Sequence, residues 1–534
     1  MGAIFQYFGS ASTLIGGVIF YIYIVKYFSP TLFATVGILQ AVLGLVTTVF
    51  TFGMSQTVQH FIAHHVARGE KDLVRSLISR IFLLVSILGI GSFLTIYFLS
   101  PLLLKFFLHA TGTTQIISEI QAVVFLAIAS SGYIASNIVN SMILGFQRFR
   151  ANGVLVILNA IASYGLAAYL VMIYGTPQAV TAGWAIAYYT MLGINLIVLA
   201  RTVRKHGTTV GRIMDFRPVL KYTIPILLSA VVSFSSVYAD RLIVAGLINQ
   251  EIFAVYSFAL LITSSVAFFV SPINNILLPK FSEYFSINEG DSIRRGIRLT
   301  TNVVTFIYTP IALWIAVLGA PIILVLGDAS YIGGAVPLAI ILIVSAIFIS
   351  QGVLVQGLQG IRVTSIFILS SGLSLIANLI LSFLLIPRYA LIGASIGYSS
   401  VTVINFMVIY YFARKFRIVS FDLLTMAKIW VSSIAVFVSI FLFNRYALPL
   451  QPFSSLLSGI PELLVYGFYL VIYILLGLLV YALAIRLTKA MNGESLDFFY
   501  TFVPESLKFT RKIVFFLFVG EDRYSIPSHM AGKR

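Results

Sequence analysis

Apolar runs of about 20 residues, separated by short stretches rich in polar residues, Pro and Gly, recur along the whole of this 534-residue chain. At about 1.5 Å of helical rise per residue, each run matches a hydrocarbon core roughly 30 Å thick. Six such windows fall near 3–25, 33–58, 77–99, 118–143, 154–174 and 180–200. A basic linker follows from Arg201 to Lys221, and then come windows near 222–248, 252–278, 299–325, 336–358, 364–386 and 390–412. Two more, near 425–443 and 462–485, precede a polar and aromatic tail. The pattern predicts an all-α polytopic membrane protein of about 14 transmembrane helices. Its expected form is two six-helix lobes around a central cavity plus two extra C-terminal helices. The expected divisions are an N-lobe at 1–205, a cytoplasmic linker at 206–221, a C-lobe at 222–415, spans thirteen and fourteen at 416–487, and a cytoplasmic or interfacial tail at 488–534.

Repetition supports the two lobes. Gly183, Ile186, Tyr188, Ile194, Asn195, Val198, Arg204 and Lys205 of span six recur in order as Gly393, Ile396, Tyr398, Ile404, Asn405, Val408, Arg414 and Lys415 of span twelve. Gly145, Gln147 and Arg150 return as Gly357, Gln359 and Arg362, each set in the turn after a lobe's fourth span. A repeat with an even number of spans enters the membrane in the same sense both times, so the halves are related by an axis along the membrane normal.

Composition agrees: 60% of residues are hydrophobic and 10% charged, and mean hydropathy is +1.02, which excludes a soluble globule. The net charge of +17 has a membrane explanation. With the N-terminus inside, the outer side receives only Lys26, Lys105, Arg388 and Arg445 of the 34 Lys and Arg residues, Arg241 lies within a span, and the rest fall inside. The basic balance therefore reads as attraction of the cytoplasmic face to anionic headgroups, with no nucleic-acid partner required. Ala3 to Val25 lacks a basic leader and reads as an uncleaved first span. Both termini are expected in the cytoplasm and the protein in the plasma membrane.

One charged pair interrupts the apolar pattern inside a span: Asp240 and Arg241, within the run Lys221 to Gln250. A charge at membrane depth costs about 2.5 to 3.5 kcal/mol on insertion scales and usually faces a bundle interior or a wet cavity. Asp240 lies about 28 Å along the helix from Lys221, so a second reading has the pair in the outer third of the span, snorkelling to headgroups. Neighbouring helix positions point about 100° apart, so Asp240 is expected to hold a basic group on another helix, to bind a coupling cation or to set the cavity's charge.

The punctuation at helix ends resembles that of the polysaccharide-flippase branch of the multidrug, oligosaccharidyl-lipid and polysaccharide exporter superfamily. The stretches are KYFSPTLFATVGILQ, FTFGMSQTVQHFIAHHVARG, LLPKFSEYF, LGDASYIGGAVPLAIL and LIPRYALIGASIGY, spread over roughly residues 1–415. The resemblance implies export of lipid-linked sugars by alternating access. Relatives that flip lipid-linked cell-wall precursor look basic within the first two spans; here span one offers Ser10, Ser12, Thr13 and tyrosines until Lys26. A pyrophosphate-linked head needs a wet, partly cationic cavity, and Arg241, Lys26 and Arg80 are the donors expected to meet its phosphates, with Asp240 beside them. The expected partners are a lipid-linked glycan and membrane lipids, with a coupling cation as a further candidate.

The alternative within the superfamily is a cation-coupled exporter of small drugs or metabolites, with Asp240 as ion site. A membrane-embedded glycosyltransferase is disfavoured, because the outer loops near 100–117 and 444–461 carry no Asp or Glu. His60, His64 and His65 share one side of a helix end, yet no Cys or carboxylate is seen to complete a metal set, and no P-loop, dinucleotide fingerprint or nucleophile elbow occurs. No catalytic residue, metal or cofactor is therefore assigned. Asn274 and Asn275 are candidate hydrogen-bond donors to substrate or to a neighbouring helix, and Glu119 a candidate at the outer mouth. The tail stretch VPESLKFTRKIVFFLFVGEDR is too short in its apolar part to span, and reads either as interfacial or as loosely ordered.

Overall fold

The computed structural model describes residues 2–51, 53–107, 113–206, 217–287, 289–363, 365–447, 462–491 and 518. Most of the central linker and almost all of the tail lie outside them. The described residues are helical, without a strand, and supply 12 helices long and apolar enough to cross a membrane, or up to 13 if one bent pair counts as a span.

The chain divides into two compact units, Met1–Phe258 with Asn378–Ala390, and Ala259–Ala377 with Leu391–Arg534. The first holds α1 (Gly2–Tyr27), α2 (Pro30–Thr51), α3 (Met54–Ala67), α4 (Lys71–Leu102), α5 (Thr113–Gly145), α6 (Phe149–Tyr174), α7 (Pro177–His206) and α8 (Arg217–Leu247). The following helix, α9 (Gln250–Ala267), begins in this unit. The run read as span two is broken where Gly53 turns left-handed at φ 64, a conformation that costs an L side chain about 1–2 kcal/mol and glycine almost nothing.

Packing in this unit follows membrane rules, in which small residues permit close approach and polar side chains bond between helices. A Cβ at Gly183 of α7 would lie 2.6 Å from the Ala167 backbone, so α6 and α7 touch through their main chains. Asn195 Nδ2 donates to Ser136 Oγ at 2.9 Å, and Ser55 Oγ to Asn137 Oδ1 at 2.6 Å. Below them Val58, Ile62, Leu77, Ile138 and Met142 form a dry core. Large apolar side chains such as Ile19, Leu83, Ile161 and Ile197 are left exposed on other faces, as lipid contact requires.

The second unit takes up the rest of α9, followed by α10 (Ser271–Ser286), α11 (Gly290–Val317), α12 (Gly319–Leu326), α13 (Ala335–Ile347) and α14 (Gln351–Gly360). The last three helices are α15 (Ile366–Lys415), α16 (Leu423–Leu442) and α17 (Glu462–Thr488). Three differences from the hydropathy windows appear here. The eighth and tenth windows are each two helices, α9 with α10 and α13 with α14, and the end of the ninth is the separate α12. The eleventh and twelfth windows merge into α15, whose 50 residues are interrupted at Ala390 (φ 44, ψ −116). Within α11, Pro310 cannot donate to the Phe306 carbonyl, and the Tyr481 hydroxyl of α17 donates to it instead at 2.7 Å. The turns after α5 and α14, which share the Gly-x-Gln repeat, close alike: Gln147 and Arg362 take φ 58 and 64, and the next N–H reaches back five residues.

Candidate functional site

Asp240 is fully buried. Its Oδ2 accepts the Tyr256 hydroxyl at 2.5 Å and its Oδ1 is 3.5 Å from Asn378 Nδ2. Asn378 Nδ2 also donates to the Ser236 carbonyl at 3.0 Å, and its Oδ1 accepts from Ser382 Oγ at 2.8 Å. All of these residues lie in the first unit. The geometry has a local cause: α8 bends by 51° between Ala230–Ser236 and Tyr238–Leu247. At that bend Asn378 supplies a side-chain donor to the Ser236 carbonyl, the kind of contact that accompanies helix kinks. The carboxylate thus ties α8 to α9 and to the middle of α15, and does not snorkel.

Arg241 behaves differently. It is half-buried, its guanidinium carbon lies 4.4 Å from the centre of the Tyr238 ring, and it acts electrostatically on Asp240 and on the phenol of Tyr21. Such a cation–π contact stabilises an arginine by about 0.5–2 kcal/mol, and a guanidinium is a strong donor to phosphate and carboxylate oxygens. Tyr238 is itself stacked on Phe234 at 4.2 Å, and the Phe234 ring fills the space left by the missing side chain of Gly44.

Lys26 ends α1 and Arg80 lies in α4, both half-buried, so the four expected residues stand on three helices, with Asp240 and Arg241 consecutive on one of them. Glu119, expected at an outer mouth, is buried in α5. His65 Nδ1 pairs with Glu70 Oε2 at 2.6 Å, a carboxylate the spacing analysis did not assign; Gly69, at φ 71, folds the chain back to bring it there. Among the described residues no three His, Cys, Asp or Glu side chains cluster as a metal site. The side chains of Asn274 and Asn275 and the tail's basic residues lie outside the described part.

Several residues escape the sequence reading altogether. Tyr256 and Asn378 hold Asp240 from 16 and 138 positions away, and Ser382 steadies Asn378, at separations where no local pattern links them. Tyrosines from five helices also gather in the first unit: Tyr133 packs edge to face on Tyr188 with ring centres 5.1 Å apart, Phe20 packs on both Tyr21 and Tyr164 at 5.1 and 5.7 Å, and Tyr238 carries the Arg241 guanidinium at 4.4 Å.

These features define a class, a multi-pass helical membrane protein with a sparsely charged polar interior, and its fold is that of flippases and multidrug transporters. It matches the structure titled lipid II flippase MurJ, inward closed conformation, with a TM-score of 0.67 and 17% identity over 96% of this chain and 100% of that one. An inward-facing multidrug resistance MATE family transporter of the MOP superfamily matches with a TM-score of 0.62 and 15% identity, over 76% of this chain and 94% of that one. A MOP superfamily transporter from Pyrococcus furiosus gives a TM-score of 0.55 at 15% identity, over 78% and 94%. At such identities the likeness is one of fold. No curated protein matches significantly. Residues 25–332, more than half of the chain, match the model of the polysaccharide biosynthesis protein family, and the chain belongs to that family.

Proposed function

We propose that this protein is a flippase that carries a lipid-linked oligosaccharide or polysaccharide repeat unit from the cytoplasmic to the outer leaflet by alternating access, without chemical change to its substrate. The observation that carries the reading is the state of Arg241: a guanidinium held on a tyrosine face inside an apolar bundle, in a family of polysaccharide biosynthesis proteins. Held there, it offers a phosphate a charge-assisted donor where water is scarce. Lys26 and Arg80 supply further positive charge along the path, and the lipid tail stays in the bilayer. The arrangement has about 14 crossings in two six-helix lobes and two added helices, with both termini in the cytoplasm and the protein in the plasma membrane. The interruption of α15 at Ala390 supports counting it as two crossings, since 50 residues would run about 75 Å if straight.

Depletion in the native host tests this. The expected result is accumulation of one lipid-linked glycan, accessible to a glycosidase only from the cytoplasmic face. An unchanged pool of lipid-linked glycans overturns the reading. Reporters at residues 206–221 and between Gly175 and Pro177 are expected on opposite sides, inside and outside; the same side for both removes the six-span lobes.

A second reading, a cation-coupled exporter of small molecules, draws support from Asp240, a buried carboxylate whose hydrogen-bond donors Tyr256 and Asn378 are neutral. Asp240→Asn then alters the ion dependence of transport per molecule of inserted protein, whatever its effect on abundance.

A further inference from the structure

Tyr21 (α1), Tyr133 (α5), Tyr164 (α6), Tyr188 (α7) and Tyr238 (α8) each come from a different helix of the first unit. Tyr133 and Tyr188 meet edge to face with ring centres 5.1 Å apart. Tyr164 lies 5.7 Å from Phe20, beside Tyr21, and fits because α1 carries Gly16 and Gly17 there: a Cβ on Gly17 would stand 3.0 Å from the Tyr164 hydroxyl. Leu158 of α6, and Ile186 and Ile197 of α7, are exposed on sides of their helices about 120° or more away from Tyr164 and Tyr188, and Tyr164 itself turns toward α1. Four of the five are nevertheless only half-buried, and the fifth, Tyr21, is 7% exposed with a hydroxyl that has no hydrogen-bond partner among the described residues. Buried polar groups are nearly always paired, so an orphaned phenol beside half-open rings has a hydrogen bond left to give to a group that comes to rest there.

We propose that these five tyrosines form a sugar-stacking wall, on which the saccharide of the transported lipid rests while Arg241 takes its anionic linkage. This rests on the flippase reading above. The chemistry is complementary: the C–H face of a pyranose is apolar and slightly positive, the face of an aromatic ring is apolar and negative, and phenol O–H groups at the rim exchange hydrogen bonds with sugar hydroxyls. One guanidinium among five neutral rings suits a substrate whose bulk is uncharged and whose charge is confined to one group.

The test uses the full-length protein in nanodiscs with two probes, a polyprenyl diphosphate and the same lipid carrying one N-acetylglucosamine. The wild type is expected to bind the glycosylated lipid about tenfold more tightly. Tyr188→Leu removes that increment and leaves affinity for the bare diphosphate unchanged, Tyr188→Phe keeps most of it, and Arg241→Gln weakens both probes. The Phe variant, which preserves packing, guards against loss of fold in the Leu variant. Equal affinity of the wild type for both probes overturns the wall and leaves the flippase reading intact. Binding of neither probe overturns the flippase reading itself, and the wall with it.

Discussion

Replacing Tyr256 by Phe deletes one hydroxyl and little else, and that hydroxyl donates to the fully buried carboxylate of Asp240 at 2.5 Å. Two scales bear on the cost. Hydrogen bonds between membrane helices average about 0.6 kcal/mol and reach about 1.7, whereas bonds to charged groups contribute about 1.5–3 kcal/mol. The second scale governs when Asp240 is ionised. Tyr256→Phe should therefore cost about 2 kcal/mol, close to a thirtyfold change in the folded-to-unfolded ratio. Reversible unfolding in mixed micelles reads this directly, and the cycle with Asp240→Asn isolates the charge. In the Asn background, which keeps an acceptor but no charge, the same change should cost no more than the neutral average. An equal cost in both backgrounds, or none in the wild type, refutes the claim that an ionised Asp240 ties α8 to α9.

Other expectations follow from single contacts. Gly183→Ala drives a methyl into the Ala167 backbone and should destabilise the α6–α7 pair by about 1–3 kcal/mol, whereas Gly193→Ala on the same helix meets nothing within 4 Å and should be neutral or stabilising by up to about 1 kcal/mol; thermal unfolding of the two variants checks the contrast. At the start of α16, Asp422 accepts the Thr425 N–H at 3.0 Å and its hydroxyl at 2.8 Å. Partial burial pushes this carboxyl up, but the two Thr425 bonds, with Arg298 and Lys428 nearby, outweigh it and hold the carboxyl below its ordinary value. A depressed folded-state value means that the cap's stabilisation is present above the ordinary carboxylate range and is lost as pH falls through the folded value. Asp422→Ala should thus cost about 1 kcal/mol at neutral pH, with the gap to wild type closing in acid, as pH-dependent unfolding would register. Gly69→Ala, in open space but at φ 71, should cost about 1–2 kcal/mol from backbone strain alone and loosen the His65–Glu70 pair, visible as altered His65 resonances.

What could be read from the chain beforehand was whatever one helix decides for itself. Hydropathy is a local average, so the windows near 118–143 and 154–174 lie within α5 and α6. Averages pass over single residues, which is why the breaks at Gly53 and at Phe348–Ser350 went unseen: each needs only one or two departures from helical geometry in a run that stays apolar throughout. The pair Asp240–Arg241 stood out because charge inside an apolar run is costly, whatever it touches. Its partners did not, since Asn378 reaches Ser236 only through the packing of α15 on α8. The tyrosines were silent for a further reason. A Tyr costs little in a membrane helix, and among 28 of them nothing in the spacing separates five that converge from those facing lipid.

Translocation itself is measured most directly with the full-length protein in proteoliposomes loaded with lipid-linked glycans extracted from the native host. Quantifying the glycan exposed to an external glycosidase over time gives the transfer between leaflets. The account predicts transfer well above protein-free vesicles, abolished by Arg241→Gln at equal protein content and unaffected by removing nucleotides. Transfer no faster than in empty vesicles, or full activity with Arg241 neutralised, contradicts it.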